Sequence, residues 1–265
     1  MRDWRDYGIV GEVRRGQPCK AAPYLRALDR REAVARATLE QFFAAAPCAP
    51  YVAVSFGVDS LVAYDLARRV CPSMRAAWVN QGPLAEWPDC LAVKDAMVAD
   101  GMPLDEIAPD VTLYDWYRRE GIPFAANMNN AEDGRLNAAL LYEPLKRYHA
   151  RTGSTGAIWG LRWHGEGGHR AFVLKGKGAI YTRKDNGVTY CAPVAHWTKA
   201  EVWAYVERHA LPYPAFYDRD RTTIRNGPPI GVTGIGQGRV VRLRQIFPEM
   251  WRVFCLEFEE IQRYG

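Results

Sequence analysis

Tyr51-Val-Ala-Val-Ser55-Phe-Gly57-Val-Asp59-Ser60 sets a short run of strand formers against a polar turn, and Leu61 to Val70 then resumes a helical period. The parse is strand, loop, helix. A glycine in such a turn permits close backbone approach, the free amides at a helix start hold an anion, and Ser55 and Ser60 add hydroxyl donors. The stretch therefore predicts a phosphate pocket. Asp59 does not attract phosphate by its own charge; it can orient a loop donor or hold a magnesium ion against the phosphates. A simple helix cap built from Ser55, Asp59 and Ser60 is the alternative reading. Neither G-x-x-x-x-G-K-[ST] nor G-x-G-x-x-G is present.

Working outward, Arg75–Val79 reads as a second strand, followed by the turn NQGPLAEWPD and a helix over about 88–100; IAPDVTL, 107–113, supplies a further strand candidate. A helix over 136–149 leads to a buried strand, Gly156–Leu161, that ends in the polar loop RWHGEGGHR. Strands alternating with helices predict an α/β fold with a mostly parallel twisted sheet flanked by helices. Beyond the loop, Asp185-Asn186-Gly187 marks the turn of a small hairpin. Residues 198–209 read as a helix whose Thr198 and Glu201 form a capping box. Residues 1–27 look irregular and 28–45 form an amphipathic helix; 218–238 are polar and rich in Gly and Pro, and 239–261 return to helix, broken at Pro248. The expected division is an N-terminal helical lead (1–45), a nucleotide-binding domain (46–218) and a Gly- and Arg-rich loop with a helical extension (219–265).

The 265 residues carry 35 Lys and Arg against 30 Asp and Glu, a net charge of +5 that favours an anionic partner weakly. Six cysteines, Cys19, Cys48, Cys71, Cys90, Cys191 and Cys255, include no C-x-x-C pair, so no iron-sulfur cluster or zinc ribbon is expected. No apolar run has the length of a membrane span and the start lacks a signal-peptide core. A cytoplasmic protein with reduced thiols is the expectation.

Several segments carry a family likeness in order. SFGVDS, 55–60, resembles a modified P-loop that is often SGGKDS. Asn80-Gln-Gly82-Pro-Leu-Ala-Glu86 stands where an acidic-Thr-Gly turn is usual, and Glu143-Pro144-Leu145-Lys146-Arg147 is similar to a basic segment. Gly160-Leu-Arg162-Trp-His-Gly-Glu166-Gly-Gly-His-Arg170 resembles a G-x-R-x-x-E-x-x-x-R element. Ala192-Pro-Val-Ala-His-Trp197 and the helix after it run on to His209-Ala-Leu-Pro212-Tyr213-Pro-Ala-Phe-Tyr217-Asp218. Together they resemble the phosphoadenosine phosphosulfate (PAPS) reductase family of the adenine nucleotide alpha-hydrolase superfamily.

That resemblance implies a Rossmann-like fold binding an adenine nucleotide, ATP with Mg2+, or alternatively PAPS or adenosine phosphosulfate (APS). It implies nucleotide contacts from Ser55, Phe56, Gly57, Val58, Asp59, Ser60, Asn80, Gly160, Arg162, Glu166 and Arg170. Asp59, Arg162 and Arg170 would be catalytic, and Asp59 would contact the metal. His164 and His169 lack a third ligand at metal-like spacing and read as pocket polarity. ATP pyrophosphatase chemistry, giving AMP and pyrophosphate in sulfur transfer or nucleotide modification, is the favoured activity, although Val58 stands where the activating pattern commonly has lysine. The chain ends FCLEFEEIQRYG rather than in the family's Glu-Cys-Gly-Leu-His segment. A sulfonucleotide reductase or sulfotransfer enzyme would thus need an unusual thiol, Cys191 or Cys255. A third reading is a nucleotide-sensing or nucleic-acid-binding component, using the arginines of 219–244. A homodimer, a nucleic-acid acceptor and a modification-pathway protein are the partners the resemblance suggests.

Overall fold

The computed structural model describes residues 22–122, 130–163, 174–219 and 239–264. In chain order the elements are α1 (Ala22–Ala44), β1 (Tyr51–Ala53), α2 (Val58–Val70), β2 (Arg75–Val79), α3 (Pro88–Ala99), β3 (Leu104–Ile107), α4 (Leu113–Glu120) and α5 (Asn130–Asn137). A π-helical turn (Ala138–Tyr142) joins α5 to α6 (Glu143–Thr152), and β4 (Gly156–Trp159), β5 (Ile180–Thr182) and β6 (Thr189–Cys191) follow. The chain continues with α7 (Lys199–Arg208), α8 (Phe216–Arg219), α9 (Arg239–Ile246), α10 (Pro248–Glu257) and a 3-10 turn (Glu259–Tyr264).

The six strands form one sheet in the order β3-β2-β1-β4-β6-β5, parallel except for the β5–β6 hairpin. Alternate residues of each strand serve opposite faces. Val52, Ala76, Trp78 and Ile158 join the core beneath α1, α2 and α7, whereas Tyr51, Ala77, Ala157 and Trp159 join the cluster beneath α6. The sheet is thus buried on both sides, as a parallel sheet must be. From β1 the chain steps outward to β2 and β3, then returns to the other side of β1 as β4. The order reverses between β1 and β4, and the carboxyl ends of strands at such a point are where open α/β sheets place their ligand crevice.

The helix over 198–209 appears as expected: Thr198 Oγ1 accepts from the Glu201 N–H at 3.2 Å, and Glu201 Oε2 accepts from the Thr198 N–H at 2.6 Å. The break at Pro248 and the hairpin at Asp185–Gly187 are present too. Other expectations need correction. The third strand is Leu104–Ile107, not 107–113, because Thr112 caps α4 by accepting the Asp115 N–H at 3.1 Å. The first helix starts at Ala22, ahead of the expected residue 28, and the helix expected over 136–149 is divided among α5, the π turn and α6. Most of 218–238 lies outside the described residues. Among the described residues no helix is long and apolar enough to cross a membrane.

Candidate nucleotide site

The loop after β1 is closed by Ser60. Its Oγ donates to the Gly57 carbonyl at 2.9 Å, accepts the Ser55 N–H at 3.2 Å and lies 3.3 Å from Ser55 Oγ. Ser60 is buried, so its hydroxyl stitches the turn, whereas Ser55 is exposed at the crevice. Gly57 is the N-cap of α2 and supplies no side-chain cap. The first helical bonds run from the Ser60 and Leu61 N–H groups to the Gly57 carbonyl, both at 3.1 Å; the Val58 N–H goes to the Tyr217 hydroxyl, which leaves the Asp59 amide, with the exposed Ser55, as the donors of the helix mouth. Those donors, with the positive end of the helix dipole, suit an anion.

Phe56 and Val58 turn their side chains into the core. Phe56 adopts φ +57°, a conformation that favours glycine, and its ring packs edge-on against Trp78 with centroids 5.8 Å apart. Neither side chain is thus offered to a ligand.

Arg162 comes from the segment after β4, across the crevice. Its Nε donates to Asp59 Oδ1 at 2.9 Å and its Nη2 to Asp59 Oδ2 at 3.1 Å. The guanidinium is buried, with 8% of the Arg162 side chain exposed against 29% for Asp59. Gly160 makes this approach possible: a Cβ there would lie 2.5 Å from the Asp59 carbonyl carbon and oxygen and 2.7 Å from the Ser60 nitrogen. β4 therefore presses backbone to backbone on the first turn of α2.

This geometry gives Asp59 a role beside the expected metal contact. Both carboxylate oxygens of Asp59 are engaged by Arg162, and among the described residues no group of three or more His, Cys, Asp or Glu is placed to hold a metal ion. Asp59 fits the role of orienting the arginine; its remaining lone pairs, together with the phosphates of a bound nucleotide, would be what holds a magnesium ion.

Asn80 ends β2 as a turn former. Its Oδ1 accepts the Gly82 N–H at 3.0 Å and its Nδ2 donates to Glu106 at 2.6 Å. Glu86, farther along that turn, has its Oε2 sealed from solvent with no hydrogen-bond partner among the described residues, and burial pushes its carboxyl up to about 8. Tyr217 on α8 is buried beside the loop, where its hydroxyl accepts the Val58 N–H close to the Asp59 and Arg162 charges, and burial raises that hydroxyl. Only the Tyr-Asp ending at 217–218 hinted at that position. Arg170, Glu166, His164 and His169 lie outside the described residues.

Burial raises the thiols of Cys191, Cys255 and Cys90. Cys191, on β6, is fully buried and burial pushes its thiol up to about 12. Cys255 on α10 is part-buried and raised by the same cause. Cys90 is buried and raised further by the charges of Glu86 and Asp89.

Comparison with known proteins agrees with the architecture. The chain is 27% identical over 181 residues to an adenosine 5'-phosphosulfate reductase of Geobacillus thermodenitrificans, covering 66% of this chain and 70% of that protein. It is 24% identical over 180 residues to a phosphoadenosine 5'-phosphosulfate reductase of Gloeobacter violaceus, covering 67% and 69%. Among solved structures, the PAPS reductase of Candida auris in a phosphate complex superposes with a TM-score of 0.56 at 18% identity, over 75% of this chain and 93% of that one. The FMN adenylyltransferase of Candida glabrata with FMN and an ATP analogue gives 0.52 at 12% identity, over 82% and 71%. Residues 49–228 match the phosphoadenosine phosphosulfate reductase domain, and the chain belongs to that family.

Proposed function

We propose that the chain binds an adenine nucleotide at the mouth of α2 and cleaves ATP to AMP and pyrophosphate, activating an acceptor. The observation that carries this reading is the Asp59–Arg162 pair set over an uncapped helix start at the sheet's switch point. In this reading the Asp59 amide and the Ser55 hydroxyl hold phosphate oxygens. Arg162, kept aimed by Asp59, stabilises the charge that develops on the leaving pyrophosphate. Arg170 and Glu166 would complete an anion clamp around the same phosphates. Catalysis of this kind is positional and electrostatic and asks nothing of a thiol.

A second reading, a sulfonucleotide reductase, is favoured by the activities for which the two bacterial relatives are named. It requires a thiolate at the nucleotide, and the burial of Cys191 weighs against that cysteine. The deciding experiment is mass-spectrometric product identification from purified protein given ATP or PAPS separately, with magnesium and a thiol reductant. AMP and pyrophosphate from ATP, lost in Arg162→Ala, would support the proposal. Sulfite and adenosine bisphosphate from PAPS, with ATP untouched, would replace it with the reductase reading.

A further inference from the structure

Two stretches of the chain are strongly basic, 143–191 and the arginine-rich 219–244, and most of the first lies among the described residues. Residues 143–191 hold nine Lys and Arg against three Asp and Glu, a balance of +6, while the whole chain carries +5. The remainder therefore sums to nearly neutral.

Folding brings the described parts of the 143–191 stretch together at the β4-β6-β5 end of the sheet. Leu145 and Tyr148 of α6 share an apolar cluster with Trp159 of β4, Tyr181 of β5, and Val188 and Tyr190 of the hairpin's second arm. Around that cluster Lys146, Arg147, Arg151, Lys175, Lys177 and Lys184 are exposed. Some of the local charge is balanced: Lys146 meets Glu143 at 3.8 Å, Arg147 meets Asp110 at 3.0 Å, and Arg183 pairs with Asp185. Among the described residues no ion pair joins Lys175, Lys177 or Lys184 to a carboxylate.

Aromatic rings lie between these cations. Trp159 meets Tyr190 edge-on at 4.9 Å, Tyr181 stacks on Tyr190 at 5.5 Å, and Lys177 Nζ sits 5.4 Å from the Tyr181 ring. Tyr142, half exposed at 51%, borders Tyr190. Trp159 and Tyr181 are each partly open to solvent. The strip leads toward the candidate site, because Arg162 stands three residues after Trp159, just beyond the end of β4.

We infer that this face, from α6 across the hairpin to Arg162, is a docking surface for single-stranded nucleic acid. Its unbalanced lysines complement a phosphate backbone, and rings set among cations take splayed bases, which a duplex keeps stacked within itself. An anionic lipid surface would use the charge but not the interleaved rings. The inference rests on the proposed function only where it makes the strand the acceptor; binding itself needs no turnover.

Fluorescence anisotropy of the full chain with labelled single-stranded RNA or DNA of roughly 20 nucleotides, without ATP, tests the surface separately from the chemistry. Lys177→Glu/Lys184→Glu should raise Kd about tenfold or more and flatten the dependence of log K on log salt by about one unit. Arg36→Glu/Arg252→Glu, an equal charge change on exposed sites of α1 and α10, should alter Kd less than about twofold. Lys177→Arg/Lys184→Arg should retain binding, and thermal melts of all variants should coincide with the parent. Absence of binding to both oligonucleotides would overturn the inference. So would equal weakening by the two glutamate pairs, tighter binding to blunt duplex, or association with phosphatidylserine vesicles alone.

Discussion

Arg162 and Asp59, 103 residues apart in the chain, meet through two parallel hydrogen bonds of 2.9 and 3.1 Å at the first turn of α2. The guanidinium is buried, so its charge depends on that carboxylate. Asp59→Asn leaves it facing a neutral amide and should destabilise the fold by about 1–3 kcal/mol, at the lower end because Asp59 is partly open to water. Urea denaturation measures the loss. An unchanged midpoint would show that the pair is not maintained in solution.

That pair also marks the limit of what the sequence conveys. Ser55–Ser60 announces its loop because a strand, a glycine turn and a helical period lie side by side, and Thr198 with Glu201 announces a cap for the same local reason. Arg162 was legible as an anion contact, but its engagement with Asp59 depends on β4 returning beside β1, which no local pattern records. The third strand was misplaced because Leu104–Ile107 carries Asp105 and Glu106 on the sheet's edge, where Arg75 answers Asp105, so it lacks an apolar run. The apolar Val111–Leu113 looked more like a strand, but the Thr112 hydroxyl spends its acceptor capacity starting α4. Glu86 could be placed in its turn from sequence; its sealed oxygen could not.

Gly160 has no room for a methyl group, since a Cβ would meet the α2 backbone at 2.5 Å. Gly160→Ala must push β4 from the phosphate loop, at a cost of about 1–3 kcal/mol, and should weaken nucleotide binding along with stability. Gly176→Ala, with nothing within 4 Å of its Cβ, should stay within about 0.5 kcal/mol of the parent. Paired thermal melts and nucleotide titrations separate the two, and equal behaviour would refute the close approach.

Phe56 sets two effects against each other. Its φ of +57° costs about 1–2 kcal/mol that a glycine would not incur, yet its ring is buried on Trp78 and removing a buried Phe costs about 3–5 kcal/mol. Packing wins, so Phe56→Gly should destabilise by about 2 kcal/mol net and loosen the loop. A stabilised variant would mean that strain, not the ring, dominates.

Glu86 gives the fold a pH dependence. Its carboxyl sits near 8 in the fold against an ordinary 4.5, raised by burial. As pH climbs, the unfolded chain therefore gives up this proton first, and the fold must either keep it or bury a charge. The contribution of Glu86 is fully present below about 4.5, falls as pH rises and is gone above about 8. Glu86→Gln keeps the shape without the titration, so parent and variant should diverge across that window, the parent losing on the order of 5 kcal/mol relative to the variant. Denaturation midpoints collected through the window test this, and parallel curves would place the carboxyl in contact with water.

Cys191 should be chemically silent. With its thiol pushed up to about 12, roughly one molecule in a hundred thousand holds the thiolate at neutral pH, and the side chain is closed to solvent. Iodoacetamide applied to the native chain should modify the exposed Cys48 and spare Cys191, with peptide mass spectrometry reading both. Urea should expose Cys191 and equalise them. Because ATP cleavage needs no thiol, Cys191→Ala should keep AMP formation within about twofold of the parent if it folds. Rapid native alkylation of Cys191, accompanied by loss of sulfite release from PAPS, would instead make it the nucleophile and move the chemistry to the sulfonyl group.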